Sequence, residues 1–95
     1  MKGTVTLIVP CYNEEESLPI FYHAVCDVAK NLPDYELTLL LVNDGSKDGT
    51  LRIMRSLAAK DEHVKYLSFS RNFGKEAAMY AGFCNAKGDY VAVMD

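Results

Sequence analysis

Thr6-Leu7-Ile8-Val9-Pro10-Cys11-Tyr12-Asn13-Glu14-Glu15-Glu16 is an apolar run that stops at a proline and passes straight into three glutamates. A run of that length with so little polar alternation reads as a buried strand. The carboxylates after it read as a loop at the strand's carboxyl end, where open α/β sheets bind their ligands. What that loop can bind is limited by its charge.

Working outward, strand and helix signals alternate along the 95 residues. The first strand is expected at residues 5–9. A first helix follows, with Ser17 as its N-cap and Pro19 tolerated in the first turn. Leu18, Phe21, Tyr22, Val25, Val28 and Ala29 recur at helical spacing and mark its inner face, and it ends near Asn31, before Pro33. Residues 35–42 are almost wholly apolar, the pattern of a strand covered on both faces in a parallel sheet. Asn43-Asp44-Gly45-Ser46-Lys47-Asp48-Gly49 is turn chemistry throughout. A second helix is expected over 50–60, with Leu51, Met54, Leu57 and Ala58 facing inward, and a third strand over 64–70. Arg71-Asn72-Phe73-Gly74 forms the next loop. A third helix spans 75–86, with the small residues Ala77, Ala78, Ala81, Gly82 and Cys84 toward the sheet. After the turn at 87–89, a fourth strand takes residues 90–94, and Asp95 closes the chain.

The expected fold is therefore α/β, a βαβαβαβ chain forming a Rossmann-like parallel sheet with right-handed crossovers. The simplest strand order is 3-2-1-4, with the switch point between strands one and four. Residues 10–16, 43–49, 71–74 and Asp95 then share one edge of the sheet. The connections at the other edge, 31–34, 61–63 and 87–89, read as plain turns.

Composition bounds what this edge can do. The net charge of −3 argues against a general nucleic-acid binder. No apolar run reaches the roughly 20 residues that span a bilayer, and the N-terminus does not read as a signal peptide. Cys11, Cys26 and Cys84 are odd in number and lack Cys-x-x-Cys spacing. They fit a reducing compartment and read as small buried hydrophobes, with a reactive Cys11 thiol as the lesser reading. His23 and His63 read as surface or packing residues.

A dinucleotide-binding loop needs glycines after strand one, where a helix N-terminus cradles pyrophosphate. Here that stretch has no glycine and three carboxylates, which repel phosphate. The phosphates of any nucleotide need a counter-charge elsewhere, from a divalent metal or from Arg71 and Lys75. Asp95, beside the switch point, is placed to help hold a hard cation. Asp44 could accept from the imide N–H of a base, Glu14 or Asp44 from hydroxyls, and Tyr12 could stack on a base or pack on the sheet edge. Glu15 and Glu16 read as charge at a helix N-terminus, and Asp48 as a turn or capping residue.

Val9-Pro10-Cys11-Tyr12-Asn13-Glu14, Val42-Asn43-Asp44-Gly45-Ser46-Lys47-Asp48-Gly49-Thr50, Arg71-Asn72-Phe73-Gly74-Lys75 and Val93-Met94-Asp95 occur in that order. Together they resemble the N-terminal half of a GT-A domain of family 2 glycosyltransferases. The Arg-Asn-Phe-Gly-Lys stretch resembles the branch that moves a sugar onto polyprenyl or dolichyl phosphate. The resemblance covers the whole chain and implies that residues 1–95 are one truncated nucleotide-sugar-binding domain. It implies that Pro10, Tyr12 and Glu14 line a nucleoside pocket, that Asp44 contacts the base, and that Arg71 and Lys75 border the nucleotide or its phosphates. Asp95 matches the first aspartate of the family's Asp-x-Asp element, which engages the ribose or the metal, Mg2+ or Mn2+.

By the same resemblance, the full-length protein is a metal-dependent, inverting-type hexosyltransferase. It takes a UDP- or GDP-sugar and a polyprenyl phosphate acceptor at the cytoplasmic face of a membrane. The resemblance implies that the family's usual catalytic base, where one exists, lies beyond Asp95, so none of the 95 residues is assigned a catalytic role and the isolated piece is expected to be inactive. The fourth strand is expected to be an exposed edge prone to self-association. The alternatives are a non-enzymatic α/β module binding a metal or a protein, and a nucleotidyltransferase. The latter would carry a glycine-rich basic loop after strand one, which this chain lacks.

Overall fold

The computed structural model describes residues 3–94. Its elements are β1 (Gly3–Cys11), α1 (Ser17–Lys30), β2 (Tyr35–Asn43), α2 (Thr50–Lys60), β3 (Val64–Ser68), α3 (Lys75–Asn85) and β4 (Tyr90–Val93). The strands form one sheet in the order β3-β2-β1-β4. All the pairings are parallel. This is the expected α/β architecture and strand order.

Side chains alternate across a strand, and partners in parallel strands share a face. Two apolar layers follow. Leu39 and Leu41 of β2 and Cys11 of β1 pack with Leu18 of α1 and Met54 and Leu57 of α2 on one side. On the other, Ile8 of β1 and Leu40 and Val42 of β2 meet Ala78 of α3. That division explains why β2 shows no polar alternation.

The small face of α3 is narrower than its composition suggests. Ala78 and Gly82 are buried and Ala81 half-buried, whereas Ala77 and Cys84 point to solvent. The reason for a small residue is plain at Gly82, where a Cβ would run into Ile8 Cγ2. On α1, Leu18 is buried, but Val28 is half exposed, while Val25 and Ala29 beside it remain partly buried. Of the three cysteines only Cys11 is buried; Cys26 is intermediate and Cys84 exposed.

Element ends differ in ways that bear on the site. β1 and β2 run to Cys11 and Asn43, which pair with each other, so both strands deliver their loops at the same height. Ser17 is the first residue of α1 and not its cap. The residue before it, Glu16, is already helical, and the Leu18 N–H donates to the Glu14 carbonyl at 2.9 Å. The turn begins inside the glutamate run, and the Ser17 hydroxyl donates to the Glu14 carboxylate.

β4 is the shortest strand and the least covered. Tyr90, Val91, Ala92 and Met94 are exposed, although the run is apolar on both faces. Thr4, Thr6 and Asp89 fasten its start. The Thr6 hydroxyl donates to the Lys87 carbonyl, and the Thr4 N–H donates to the Asp89 carboxylate at 3.0 Å.

Candidate functional site

The first two motif loops are laced together by side chains bonding to backbone. The Asn13 N–H donates to Ser46 Oγ at 2.9 Å, and Asn13 Oδ1 accepts from the Lys47 N–H at 2.8 Å. Asn13 has φ +53, the left-handed region that asparagine tolerates better than most residues. The Glu14 N–H donates to the Thr50 hydroxyl at 2.9 Å. Glu15 accepts from the Gly49 N–H at 2.6 Å, at the start of α2. Its carboxylate therefore complements the neighbouring helix, not its own. Asp48 accepts from the Thr50 N–H and from the Glu15 N–H. The Thr50 hydroxyl, with those N–H groups, holds the Asp48 carboxyl below the usual range. The capping reading of Asp48 thus describes its contacts.

The third loop crosses this pair. From β3, at the edge of the sheet, the chain must reach α3, which packs on β1 and β2. It does so over the carboxyl end of β2. There Asp44, 3% exposed, receives it. Asp44 Oδ1 accepts from the Phe73 N–H at 2.8 Å and Oδ2 from the Gly74 N–H at 3.0 Å. The Asn72 side-chain amide donates to Asp44 Oδ2 and to its carbonyl at 3.3 and 3.2 Å. The Asp44 N–H donates in turn to the Cys11 carbonyl at 2.9 Å. Three loops meet at this one residue.

Arg71 is exposed, with its guanidinium 4.9 Å from the Phe73 ring centroid. That ring stands edge-on to Phe69 at 5.5 Å. Stacking of this kind orients an arginine while leaving its N–H groups to a ligand. Lys75 is the first residue of α3 and is also exposed. On the other side of loop one, at the switch point, a cleft of about 300 Å³ is lined by Pro10, Glu14, Phe21 and Met94. Tyr12 stands exposed beside it in the sequence. Asp95 lies outside the described residues.

Among the described residues no group of three or more His, Cys, Asp or Glu side chains is arranged to hold a metal ion. The carboxylates of Glu15, Asp44 and Asp48 accept N–H groups of neighbouring loops, and that of Glu14 accepts the Ser17 hydroxyl of its own turn. As a donor set they do not by themselves fit a cation.

The Cys11 thiol donates to the Val9 carbonyl at 3.5 Å. Burial, and then the Glu14 charge, push its pKa from 9.0 up to about 12. A thiol kept protonated is a poor nucleophile, which removes the reactive reading. In the native protein at pH 8, alkylation mapped by mass spectrometry should modify Cys84 quickly and Cys11 only as fast as the fold opens. Fast native labelling of Cys11 would contradict the burial. Because the folded pKa is the higher one, Cys11's stabilising contribution is complete below pH 9.0 and is lost as pH rises toward about 12.

A larger groove, about 540 Å³, lies at the opposite edge between α1 and the starts of β2 and β3. The turns there are less plain than their sequence implies. The Tyr22 hydroxyl donates to Asp61 at 2.6 Å, and His63 stands 3.5 Å from Asp61 and 3.4 Å from Glu36. Its polar groups serve one another above apolar walls. Size alone does not make it the site, since the motif loops converge at the other edge.

Two residues carry more of this geometry than the sequence reading gave them. Asn13 and Asn72 are the bolts between loops, and only their tolerance of turn conformations hinted at it.

The profile of the family described as Glycosyl transferase family 2 matches residues 6–95. The chain is 47% identical over 91 residues to a prophage bactoprenol glucosyl transferase homolog of Escherichia coli (strain K12), covering 96% of this chain and 29% of that protein. It is 38% identical over 92 residues to an undecaprenyl-phosphate 4-deoxy-4-formamido-L-arabinose transferase of Pseudomonas fluorescens (strain SBW25), covering 96% of this chain and 27% of that one. The crystal structure of S. aureus TarS residues 1–349 in complex with UDP-GlcNAc superposes with a TM-score of 0.76 at 26% identity. That match covers 97% of this chain and 26% of TarS. The chain thus spans under a third of the length of each.

Proposed function

The chain belongs to glycosyltransferase family 2, and on that premise we propose that it forms the nucleotide-sugar-binding unit of a hexosyltransferase acting on a polyprenyl phosphate. The whole protein takes a UDP- or GDP-sugar, and the acceptor phosphate attacks the anomeric carbon, releasing a nucleoside diphosphate. The acceptor is already an anion and needs no strong general base. The observation that carries this reading is the convergence of the loops after β1, β2 and β3 on one edge. An acidic, glycine-free wall there lies beside an arginine held on an aromatic ring. The nucleoside lies against Pro10, Tyr12 and Glu14, with Asp44 beneath it. Arg71 and Lys75 border the diphosphate. Asp95, together with the diphosphate, would hold Mg2+ or Mn2+, which would supply charge neutralisation at the leaving group. The lipid acceptor places the whole protein at the cytoplasmic face of a membrane. No helix among the described residues is long and apolar enough to cross one.

Titration of the 15N-labelled chain with UDP or GDP in the presence of Mn2+ tests this. Amide shifts centred on Tyr12, Asp44 and Arg71 are expected at millimolar nucleotide. Shifts with Mn2+ or a partner protein but with neither nucleotide would favour a non-enzymatic binding module.

The same reading makes β4 an interior strand of a wider sheet, which in the 95-residue chain leaves an apolar edge uncovered. Light scattering should find this chain self-associated. A monodisperse monomer with a cooperative melt would contradict that expectation.

A further inference from the structure

We propose that Asn13 is a positioning residue for the nucleoside: bolted to loop two in a left-handed conformation, it sets Tyr12 toward the base before any ligand arrives. The inference rests on the nucleotide-site reading above and adds to it a residue that touches no ligand itself.

Cys11 is the last residue of β1 in register with β2, opposite Asn43. The Glu14 N–H is already fixed on the Thr50 hydroxyl at 2.9 Å. Only Tyr12 and Asn13 lie between these two anchors, so the backbone of Asn13 governs how Tyr12 leaves the sheet. Among the described residues Asn13 is the one non-glycine with positive φ, at +53. An L-residue is disfavoured there because its Cβ crowds the following carbonyl oxygen, and such a conformation persists only where the surroundings hold it. Loop two holds it twice. The Asn13 N–H donates to Ser46 Oγ at 2.9 Å, and Asn13 Oδ1 accepts from the Lys47 N–H at 2.8 Å. Neither bond caps a helix. The N–H groups around the starts of α1 and α2 are met by Glu15, Asp48 and Thr50 instead. What the Asn13 bonds fix is the step from Cys11, 3% exposed, to Tyr12, 42% exposed.

The Lys47 N–H needs an acceptor oxygen, which Asn and Asp side chains carry and Gly and Ala lack. Glycine still tolerates the backbone angle, and alanine does not. Calorimetric titration of the chain and its Asn13→Asp, Asn13→Gly and Asn13→Ala variants with UDP, GDP and pyrophosphate, each with Mn2+, tests the assignment. For the nucleotides, Asn13→Asp should stay closest to the unaltered chain, Asn13→Gly should weaken binding by roughly threefold and Asn13→Ala by roughly tenfold. Pyrophosphate has no nucleoside, so Asn13→Gly and Asn13→Ala should leave its affinity unchanged. Equal losses for pyrophosphate would mean a general loss of structure, and unchanged nucleotide affinity in Asn13→Ala would mean no positioning; either result overturns the proposal. Where pyrophosphate binds too weakly to measure, rescue by Asn13→Asp decides. Ligand-free 15N spectra supply a separate readout: the Lys47 amide should move upfield in Asn13→Gly and Asn13→Ala and be restored in Asn13→Asp. An unmoved Lys47 amide refutes the bolt. If Asn13→Ala does not fold, the comparison of Asn13→Gly with Asn13→Asp is judged by the same criteria. An unaltered chain that binds neither nucleotide sinks the nucleotide-site reading and this proposal with it. A chain that binds, with an Asn13 series that changes nothing, sinks the positioning alone.

Discussion

Gly45→Ala is expected to unfold most of the chain's stability margin, costing about 3 kcal/mol or more. Gly45 has φ +69, which costs an L-residue about 1 kcal/mol. Its new Cβ would sit 2.6 Å from the Arg71 carbonyl oxygen and nearer still to the Arg71 carbonyl carbon and the Asn72 nitrogen. These are backbone atoms of a loop held by Asp44, so relief requires moving the loop, a strain of about 1–3 kcal/mol in packed regions. Gly74→Ala is the control. Gly74 has φ +101 and ψ 157, a region nearly reserved for glycine that costs an L-residue about 1–3 kcal/mol, but nothing lies within 4 Å of a Cβ there, so that backbone penalty applies without a clash. Urea denaturation should rank Gly45→Ala clearly below Gly74→Ala. Equal midpoints would mean that the loop crossing over β2 is not tightly packed. Against a total stability of about 5–15 kcal/mol for a domain, the larger loss is one this small sheet can ill absorb.

The second large effect concerns binding. Arg71→Ala should weaken UDP or GDP by about ten- to a hundredfold, the scale of losing charge-assisted hydrogen bonds to a diphosphate. Stability should move by less than about 0.5 kcal/mol, because the side chain is exposed. Arg71→Lys should fall between, since it keeps the charge and loses the planar fork and its stack on Phe73. Calorimetry at low and raised salt measures both, and the wild-type advantage should shrink as salt screens the contact. Wild-type affinity in Arg71→Ala would remove Arg71 from the phosphate side of the site.

The periodicity of α2 places that helix at residues 50–60, where the structure has it. It does so because Met54 and Leu57 face a single layer. The unbroken apolar run of β2 announces a strand covered on both sides, which the two cores provide. α3 was harder to read. Its residues are small or apolar nearly all round, so composition could not separate the buried Ala78 and Gly82 from the exposed Ala77 and Cys84. The N-cap of α1 was misplaced at Ser17 because the glutamate run already turns as a helix. That depends on the loop bonds to Ser46, Asp48 and Thr50.

By itself the sequence determined the order of elements, the parallel sheet with its 3-2-1-4 arrangement, and the edge on which the motif loops gather. Strand and helix patterns record burial, and burial with right-handed crossovers leaves little choice of topology. Only the tertiary structure decided what the polar residues on that edge do. Asp44, Glu15 and Asp48 are all carboxylates next to turns in the sequence, yet Asp44 binds the third loop, Glu15 the Gly49 N–H just before α2, and Asp48 the N–H groups of Thr50 and Glu15. Arg71 reaches the centre of the edge from an outer strand because α3 packs on β1 and β2, which drags the intervening loop across Asp44. Hydrogen bonds between residues some 30 positions apart leave no periodic trace in a chain. The acidic stretch after β1 is consequently legible as a wall that repels phosphate, but its shape is set by the loops it is bolted to.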